Sequence, residues 1–406
     1  MAKEYVPNEK ILQKYAELLV NFALNSGKGI QKGDVVQCNI PDVAKPLALA
    51  LQNVILQAGG QPMMRLMPTG FDHDFYKYAN DDQLTFFPRE YSKARVDLVD
   101  HTLSIIADVY PDALKDIPPQ KIMKAVSARK EYIDWLNHKE NQGKFTWTLG
   151  LWGTRAKADE VGLTLKEYWK QIIDACYLDK KDPVKEWRKL NASQEFIKKT
   201  LNDMEILWLH IEGADADLHV QLGEDRIWNG GSGRNIPSFE IFTSPDWRGT
   251  HGWIKFNQPL YRYGQVVKNV RLEFKDGLVV KGEAEVGQEL LTEMLKTENA
   301  NKIGEYSLTD KRMSRITHVM AETLFDENIS GPFGNTHLAI GRSYHDCFRG
   351  DPANVTDSEW AEYGFNQSAE HCDIISTTDR TVTATLKSGE EKVIYKDGQF
   401  TFYDGK

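Results

Sequence analysis

Between residues 35 and 66 the sequence sets a β-prone run, an amphipathic helical segment and a second β-prone run in succession, and few folds accept that order. Residues 35–40 read as a strand. Val43, Leu47, Leu51, Val54, Ile55 and Ala58 then share one helical face until Gly59 and Gly60 stop the helix, and residues 61–66 supply the next strand. Strand, helix, strand at this spacing implies a right-handed parallel βαβ unit. Residues 103–107 and 145–152 read as further strands, and Ile11, Tyr15, Leu18, Leu19 and Phe22 recur at the spacing of an opening helix. Thr164 and Glu167 have capping-box spacing ahead of Trp169, Ile172, Ile173 and Cys176, so a helix starts there.

The texture changes after Glu205. Short strands over 206–211, 266–274 and 381–386, separated by glycine-containing turns, predict a mostly antiparallel β region. A chain of 406 residues exceeds the size at which one core keeps growing. The expectation is an α/β domain over 1–195 with parallel βαβ units and a β-rich, mostly antiparallel domain over 196–406. The charged, tryptophan-containing stretch 179–199 reads as the connection between them.

With 59 acidic against 50 basic residues and a net charge of −9, no general attraction for phosphate backbones or anionic membranes is expected. Nucleic acid and membrane are therefore not expected partners. Cys38, Cys176, Cys347 and Cys372 are far apart and form no CxxC pair, which fits reduced thiols in a cytoplasmic protein. The N-terminal MAKEYVPNEK has no apolar signal-like core, and no run of about 20 apolar residues occurs in the sequence.

The chemistry-bearing signal is a set of carboxylates and imidazoles inside apolar segments of the second half, where unpaired charge is costly. His371 and Asp373 precede Ile374 and Ile375, and strand alternation sends both to one face, where they can reach one metal. That pair alone does not distinguish a metal site from a histidine hydrogen-bonded in a strand. Glu240 lies in Ser238-Phe239-Glu240-Ile241-Phe242, a half-buried strand position for which a salt bridge is the plain alternative. Glu305 follows Gly304, which would let another group approach closely. Glu327 ends Thr323-Leu324-Phe325-Asp326-Glu327 and His337 opens His337-Leu338-Ala339-Ile340-Gly341, placing each where an ordered element meets a loop. Together, six oxygen and nitrogen donors match two borderline divalent cations. Two ions roughly 3.5–4 Å apart can activate a water and polarise a peptide carbonyl together.

These residues resemble the metallo-aminopeptidases typified by aminopeptidase T and aminopeptidase S, the thermophilic aminopeptidases. The resemblance is carried by Asn235-Ile236-Pro237 leading to Glu240-Ile241-Phe242-Thr243-Ser244-Pro245, by Gly304-Glu305, and by Leu324-Phe325-Asp326-Glu327-Asn328. It continues through His337-Leu338-Ala339-Ile340-Gly341 with Tyr344, and Asn366-Gln367-Ser368 before His371 and Asp373. It implies Glu240, Glu305, Glu327, His337, His371 and Asp373 as ligands of two divalent ions (Co2+, Zn2+, Mn2+ or Mg2+), with Glu305 as the bridge and also catalytic. Tyr344 is implied as a catalytic residue that faces substrate and donates to the oxyanion. The resemblance further implies release of N-terminal residues from peptide substrates by a two-metal-activated water, and a homodimer. Two departures stand out. Phe239 replaces the family's usual small residue before the first glutamate, suggesting a reshaped substrate pocket, and residues 329–336 lengthen the segment between Glu327 and His337.

Other classes fit less well. The first strand runs into Pro41-Asp42-Val43 without the glycines a dinucleotide pyrophosphate needs. Gly230-Gly231-Ser232-Gly233 precedes a strand, so it lacks a helix N-terminus for phosphate and reads as a mobile loop. No G-x-S-x-G elbow and no family-type cysteine signature is present. The alternative from a different class is a catalytically silent metal-binding relative of the same fold. It would bind divalent metal without hydrolysing any aminoacyl amide, whereas a phosphoesterase on the same ligands would prefer nitrophenyl phosphate.

Overall fold

The computed structural model describes residues 4–405. The chain opens with the helix Glu9–Leu18, which continues into a π turn at Leu19–Ala23; Tyr15, Leu18, Leu19 and Phe22 are buried, as their spacing predicts. Strands β1 (Val35–Pro41), β2 (Gln61–Met67), β3 (His101–Ile106) and β4 (Thr146–Leu151) then form a parallel sheet in the order β2-β1-β3-β4. The intervening helix Lys45–Gln57 buries Leu47, Leu51, Val54 and Ile55. Val43 belongs to a separate 3-10 turn and is exposed, because Pro46 sets the helix start two positions later than the apolar pattern suggests. Past the helix end, Gly59 adopts φ +85°, where a side chain would be strained. The expected capping box forms: Thr164 accepts from the Glu167 backbone N–H, and the Glu167 carboxylate accepts from the Thr164 N–H at 2.9 Å.

The stretch 179–199 that connects the two halves is packed helix and not loose chain. Most of it lies in the helix Pro183–Asp203, capped by Asp182, whose carboxylate accepts from the Lys185 N–H at 3.0 Å. Its lysines and glutamates cover the outer face, while Trp187, Leu190, Ile197 and Leu201 bury the other at helical spacing. High charge density concealed an ordinary amphipathic helix.

From there the chain is mainly antiparallel. In chain order the strands are β5 (Ile206–Gly213), β6 (Ala216–Gln221), β7 (Glu240–Thr243), β8 (His251–Lys255), β9 (Leu260–Arg262), β10 (Gln265–Val267) and β11 (Arg271–Lys275). They continue with β12 (Leu278–Glu283), β13 (Ile303–Thr309), β14 (Asn335–Gly341), β15 (His371–Ser376), β16 (Thr381–Leu386), β17 (Glu391–Lys396) and β18 (Gln399–Phe400). Eight strands form one sheet in the order β12-β11-β8-β6-β5-β16-β17-β18, and four form another in the order β15-β14-β13-β7. The single strand expected over 266–274 is two, β10 and β11, because Asn269 between them takes a left-handed φ of 53° that Asn tolerates.

The Gly230-Gly231-Ser232-Gly233 segment, read as a mobile loop, is tied down on several sides. Lys198 Nζ donates to Gly230 O at 3.0 Å, Asn191 Nδ2 to Gly231 O at 2.9 Å and Thr148 Oγ1 to Gly233 O at 2.8 Å. A Cβ on Gly230 would lie 2.5 Å from Glu240 O. These glycines let the backbone pass between the helix Pro183–Asp203 and β7, a packing role that composition cannot distinguish from flexibility. One continuous buried cluster joins both halves of the chain, from Leu12 and Tyr15 to Tyr395 and Phe400. Among the described residues, no helix is long and apolar enough to cross a membrane.

Candidate metal centre

The four-stranded sheet β15-β14-β13-β7 presents one chemically distinct face. Its register sets Ser307 opposite His337, Glu305 opposite Ala339, and Ala339 opposite Asp373, with Gly341 opposite His371 and Thr309 opposite Glu240. Strand alternation then sends Glu240, Glu305, His337, Asp373 and His371 to the same side. Ala339, paired with both Glu305 and Asp373, is the small residue between these donors, and a Cβ on Gly341 would lie 2.2 Å from Glu370 O. Glu327 arrives separately, as the residue ending the short helix Thr323–Asp326. The structure therefore gathers all six sequence-predicted donors, despite the lengthened 329–336 segment. His337 departs from its expected place at a strand mouth: it is the third residue of β14, fully enclosed by β13 and β15.

The distances are those of a shared coordination space. His337 Nε2 lies 3.0 Å from Glu305 Oε1, 3.2 Å from Glu240 Oε2 and 3.9 Å from Asp373 Oδ1. His371 Nε2 lies 3.4 Å from Asp373 Oδ1 and 3.9 Å from Glu305 Oε2. Three overlapping triplets, Glu240/Glu305/His337, Glu305/His371/Asp373 and Glu327/His337/Asp373, each keep their donor atoms within 4.8 Å. His371 Nδ1 donates to Arg342 O at 2.7 Å, which fixes the ring and leaves Nε2 facing the carboxylates. That is the outer-shell arrangement by which a backbone carbonyl orients a ligating imidazole. Carboxylate and imidazole donors at these separations fit divalent cations of the borderline class.

Neutral donors hold the acids in place. Ser238 Oγ and Ser307 Oγ donate to the two oxygens of Glu240 at 3.1 and 3.2 Å, and Asn235 Nδ2 donates to Glu327 Oε1 at 2.9 Å. Burial, reinforced by Glu240 and Asp373, pushes the Glu305 carboxyl up to about 7 against the lowering hydrogen bond from His337. Burial, then Glu240 and Asp373, pushes Glu327 well above the carboxylate range. For His337 burial works against the charge, but its contacts with Glu240 and Glu305 prevail and hold it well above the imidazole value. Burial also opposes ionisation of Asp373, yet His371 outweighs it and holds that carboxyl well below its ordinary value.

Tyr344 sits beside this cluster, its ring 4.7 Å from that of His371 and 5.9 Å from that of Phe242. Its backbone N–H donates to Ser244 Oγ at 2.8 Å. Phe239, expected to reshape the pocket, faces away: it is fully buried and stacks on Trp187 at 5.6 Å. Alternation explains this, since the residue preceding Glu240 points to the opposite side of the strand. Glu240, Glu305, Glu327, His371 and Asp373 line a cavity of about 40 Å3, which shares Gly230, Arg234 and Tyr344 with a neighbouring cavity of about 460 Å3. The larger volume falls in the range of small-molecule sites.

The donors all come from the C-terminal half, but the cavity walls do not. Trp147 of β4 lines the smaller cavity and Glu140 the larger one. Arg234 Nε and Nη2 donate to Glu140 Oε1 at 3.1 and 2.6 Å, Arg234 also pairs with Asp346, and its guanidinium lies 5.5 Å from the Tyr344 ring. Sequence reasoning did not single out this trio. Arg234 adjoins the quoted Asn235-Ile236-Pro237, which was a usable signal; Glu140, in the polar helix Lys130–Asn141, carried none.

The raised values have a sign that can be measured. In the metal-free protein Glu305 and Glu327 bind protons more tightly folded than unfolded, and so does His337, so stability falls as pH rises. The window runs from the ordinary glutamate value of 4.5 through about 7 for Glu305. Thermal unfolding of chelator-treated protein should give a midpoint that declines across this window, and saturating divalent metal should flatten the decline. A metal-free midpoint that rises across the same window would contradict the site electrostatics.

The chain is 28% identical to aminopeptidase 2 of Geobacillus stearothermophilus, over 97% of this chain and 98% of that one. It is 29% identical to aminopeptidase T of Thermus aquaticus over 71% and 74% of the two chains. The solved structure of wild-type AmpT from Thermus thermophilus superposes with a TM-score of 0.81 at 23% identity, covering 97% of this chain and 99% of that one, so the folds are alike. The family model for thermophilic metalloproteases (M29) matches residues 8–400, and the chain belongs to that family.

Proposed function

We propose that the protein is a dinuclear metallo-aminopeptidase, releasing N-terminal residues from peptides at the face formed by β7, β13, β14 and β15. The observation that carries this reading is the crowding of four carboxylates, Glu240, Glu305, Glu327 and Asp373, around two imidazoles within one buried pocket. With both imidazoles neutral, those four negative charges balance two divalent cations and overbalance one. Glu240, Glu305, Glu327, His337, His371 and Asp373 would hold the ions. Glu305 belongs to both the triplet with His337 and the triplet with His371, which supports it as the bridge. Cobalt, zinc, manganese and magnesium all suit oxygen- and nitrogen-rich ligands, so identity is set by geometry and supply as much as by donor type.

When bound, the ions supply Lewis-acid polarisation of a peptide carbonyl and activation of water. The chain's own residues do the rest. Glu305, buried at the centre of the cluster, is placed to accept the proton of the attacking water. Tyr344 keeps its phenolic proton, because burial raises its pKa above the ordinary value, and so it can donate to the oxyanion as the carbonyl carbon becomes tetrahedral. The larger cavity beyond Gly230 and Arg234 offers space for the substrate chain. The aminopeptidases similar to this chain support the same substrate class. A homodimer is part of the proposal, supported by the exposed aromatic residues Phe71, Phe75, Tyr78, Phe86 and Tyr110 of the N-terminal half. Four free, buried cysteines suit the cytoplasm.

Hydrolysis of aminoacyl p-nitroanilides should vanish on chelation and return with one of the four metals. Glu305→Gln should lose metal and activity together, whereas Tyr344→Phe should keep its metal and lose roughly 100-fold in kcat. Full metal content with no hydrolysis of any aminoacyl amide would favour a silent metal-binding relative, and a Glu305→Gln protein with full metal and rate would remove the bridge. Sedimentation should find a dimer at micromolar concentration; a monomer throughout would end that part of the proposal.

A further inference from the structure

A second group of metal-ligating side chains lies on the outward side of the eight-stranded sheet, away from the four-stranded sheet just described. In that sheet His210 on β5 is directly opposite His219 on β6, and His219 is directly opposite His251 on β8. The rings stack: His210 and His219 have centroids 4.0 Å apart at 10°, and His219 and His251 4.7 Å apart at 5°. Asp217, two residues before His219 and on the same face, places Oδ1 2.9 Å from His210 Nε2 and 3.9 Å from His219 Nε2. Glu212 Oε2 lies 3.5 Å from the other nitrogen, His210 Nδ1. His251 Nδ1 donates to Gly249 O at 3.0 Å.

We propose that His210, His219 and Asp217 form a second divalent-metal site, specific for imidazole-preferring ions such as Zn2+, Cu2+ and Ni2+. The three donor atoms lie within 4.8 Å of one another, and the side chains are half-buried to exposed, so small rotations complete the approach and leave further positions to water. Three cross-strand imidazoles have no stabilising role as cations, since like charges directly opposite each other repel. Two nitrogens and one carboxylate favour Zn2+, Cu2+ and Ni2+ over Mg2+ or Ca2+, which prefer all-oxygen shells. An ion here links β5 to β6 across the sheet and stabilises the fold by mass action. The aminopeptidase reading is not needed for it.

The test is a titration of Cu2+ into full-length protein whose six-donor cluster is already loaded with Zn2+, with uptake read as the difference between wild type and the His210→Ala/His219→Ala protein, which removes any exchange of Cu2+ into the cluster. Wild-type protein should take up one further equivalent of Cu2+ with nitrogen hyperfine structure in its electron paramagnetic resonance spectrum. The His210→Ala/His219→Ala protein should lose that equivalent, and Asp217→Asn should bind about tenfold more weakly. Thermal midpoints should rise with added Zn2+ in wild type and not in the double variant. Because these side chains are on the outer face, both variants should keep the wild-type circular dichroism spectrum, which reports that they are folded. Unchanged Cu2+ stoichiometry and spectrum in the double variant would overturn the proposal, as would a wild type that binds no further Cu2+, which would leave Asp217 as a simple ion-pair partner of His210.

Discussion

Burying several carboxylates side by side is the constraint around which the second half of this chain is arranged. Each loses hydration and repels its neighbours, and the cost is met only by protons, hydrogen bonds or cations. The sheet β15-β14-β13-β7 provides the rigid platform, because strand register fixes donor separations more closely than loops do. Ser238, Ser307 and Asn235 add neutral hydrogen bonds that aim the carboxylate oxygens without adding charge. Asn328 closes the frame by accepting from the Phe239 N–H at 2.6 Å, tying the approach to β7 to the turn that carries Glu327.

The same constraint links the site to the rest of the molecule. Glu327 follows Asp326, whose two carboxylate oxygens accept from the backbone N–H groups of Met320 and Glu322 at 2.6 and 3.0 Å. That turn is gripped from the N-terminal half by Lys157, which is buried, donates to Ala321 O at 2.6 Å and lies 4.4 Å from the Tyr261 ring centroid. Tyr168 donates to the neighbouring Met320 O at 2.8 Å. Arg234, held by Glu140 and Asp346, binds the cavity wall across the same divide. The parallel sheet and its helices thus position one of the donors and enclose the cavity, although they contribute none of the six donors themselves.

Much of this was legible in the sequence, because several signals were local. The βαβ opening, the Thr164 capping box and the H-x-D pair on β15 each follow from the spacing of a few residues, and the structure has them where they were expected. The motif resemblance led to the right family, and all six donors meet in space. What was misread depended on packing partners far away in sequence. The helix Pro183–Asp203 was hidden by its charges, although Trp187, Leu190, Ile197 and Leu201 keep helical spacing, and its partners Phe22 and Phe239 on Trp187 lie far away in sequence. The glycines at 230–233 looked mobile because nothing nearby in sequence announces Asn191 or Lys198. Phe239 is the exception, since local alternation alone sends it to the side opposite Glu240 and away from the pocket it was expected to reshape. Glu140 had no sequence signal, because a glutamate in a polar helix is indistinguishable from any solvated one.

The most direct measurement is anomalous diffraction from crystals grown with a divalent transition metal, recorded on both sides of that metal's absorption edge. The account predicts two anomalous peaks between Glu240, Glu305, Glu327, His337, His371 and Asp373, with Glu305 between them. A single peak there, or none while the protein is active, would contradict the dinuclear centre on which the account rests.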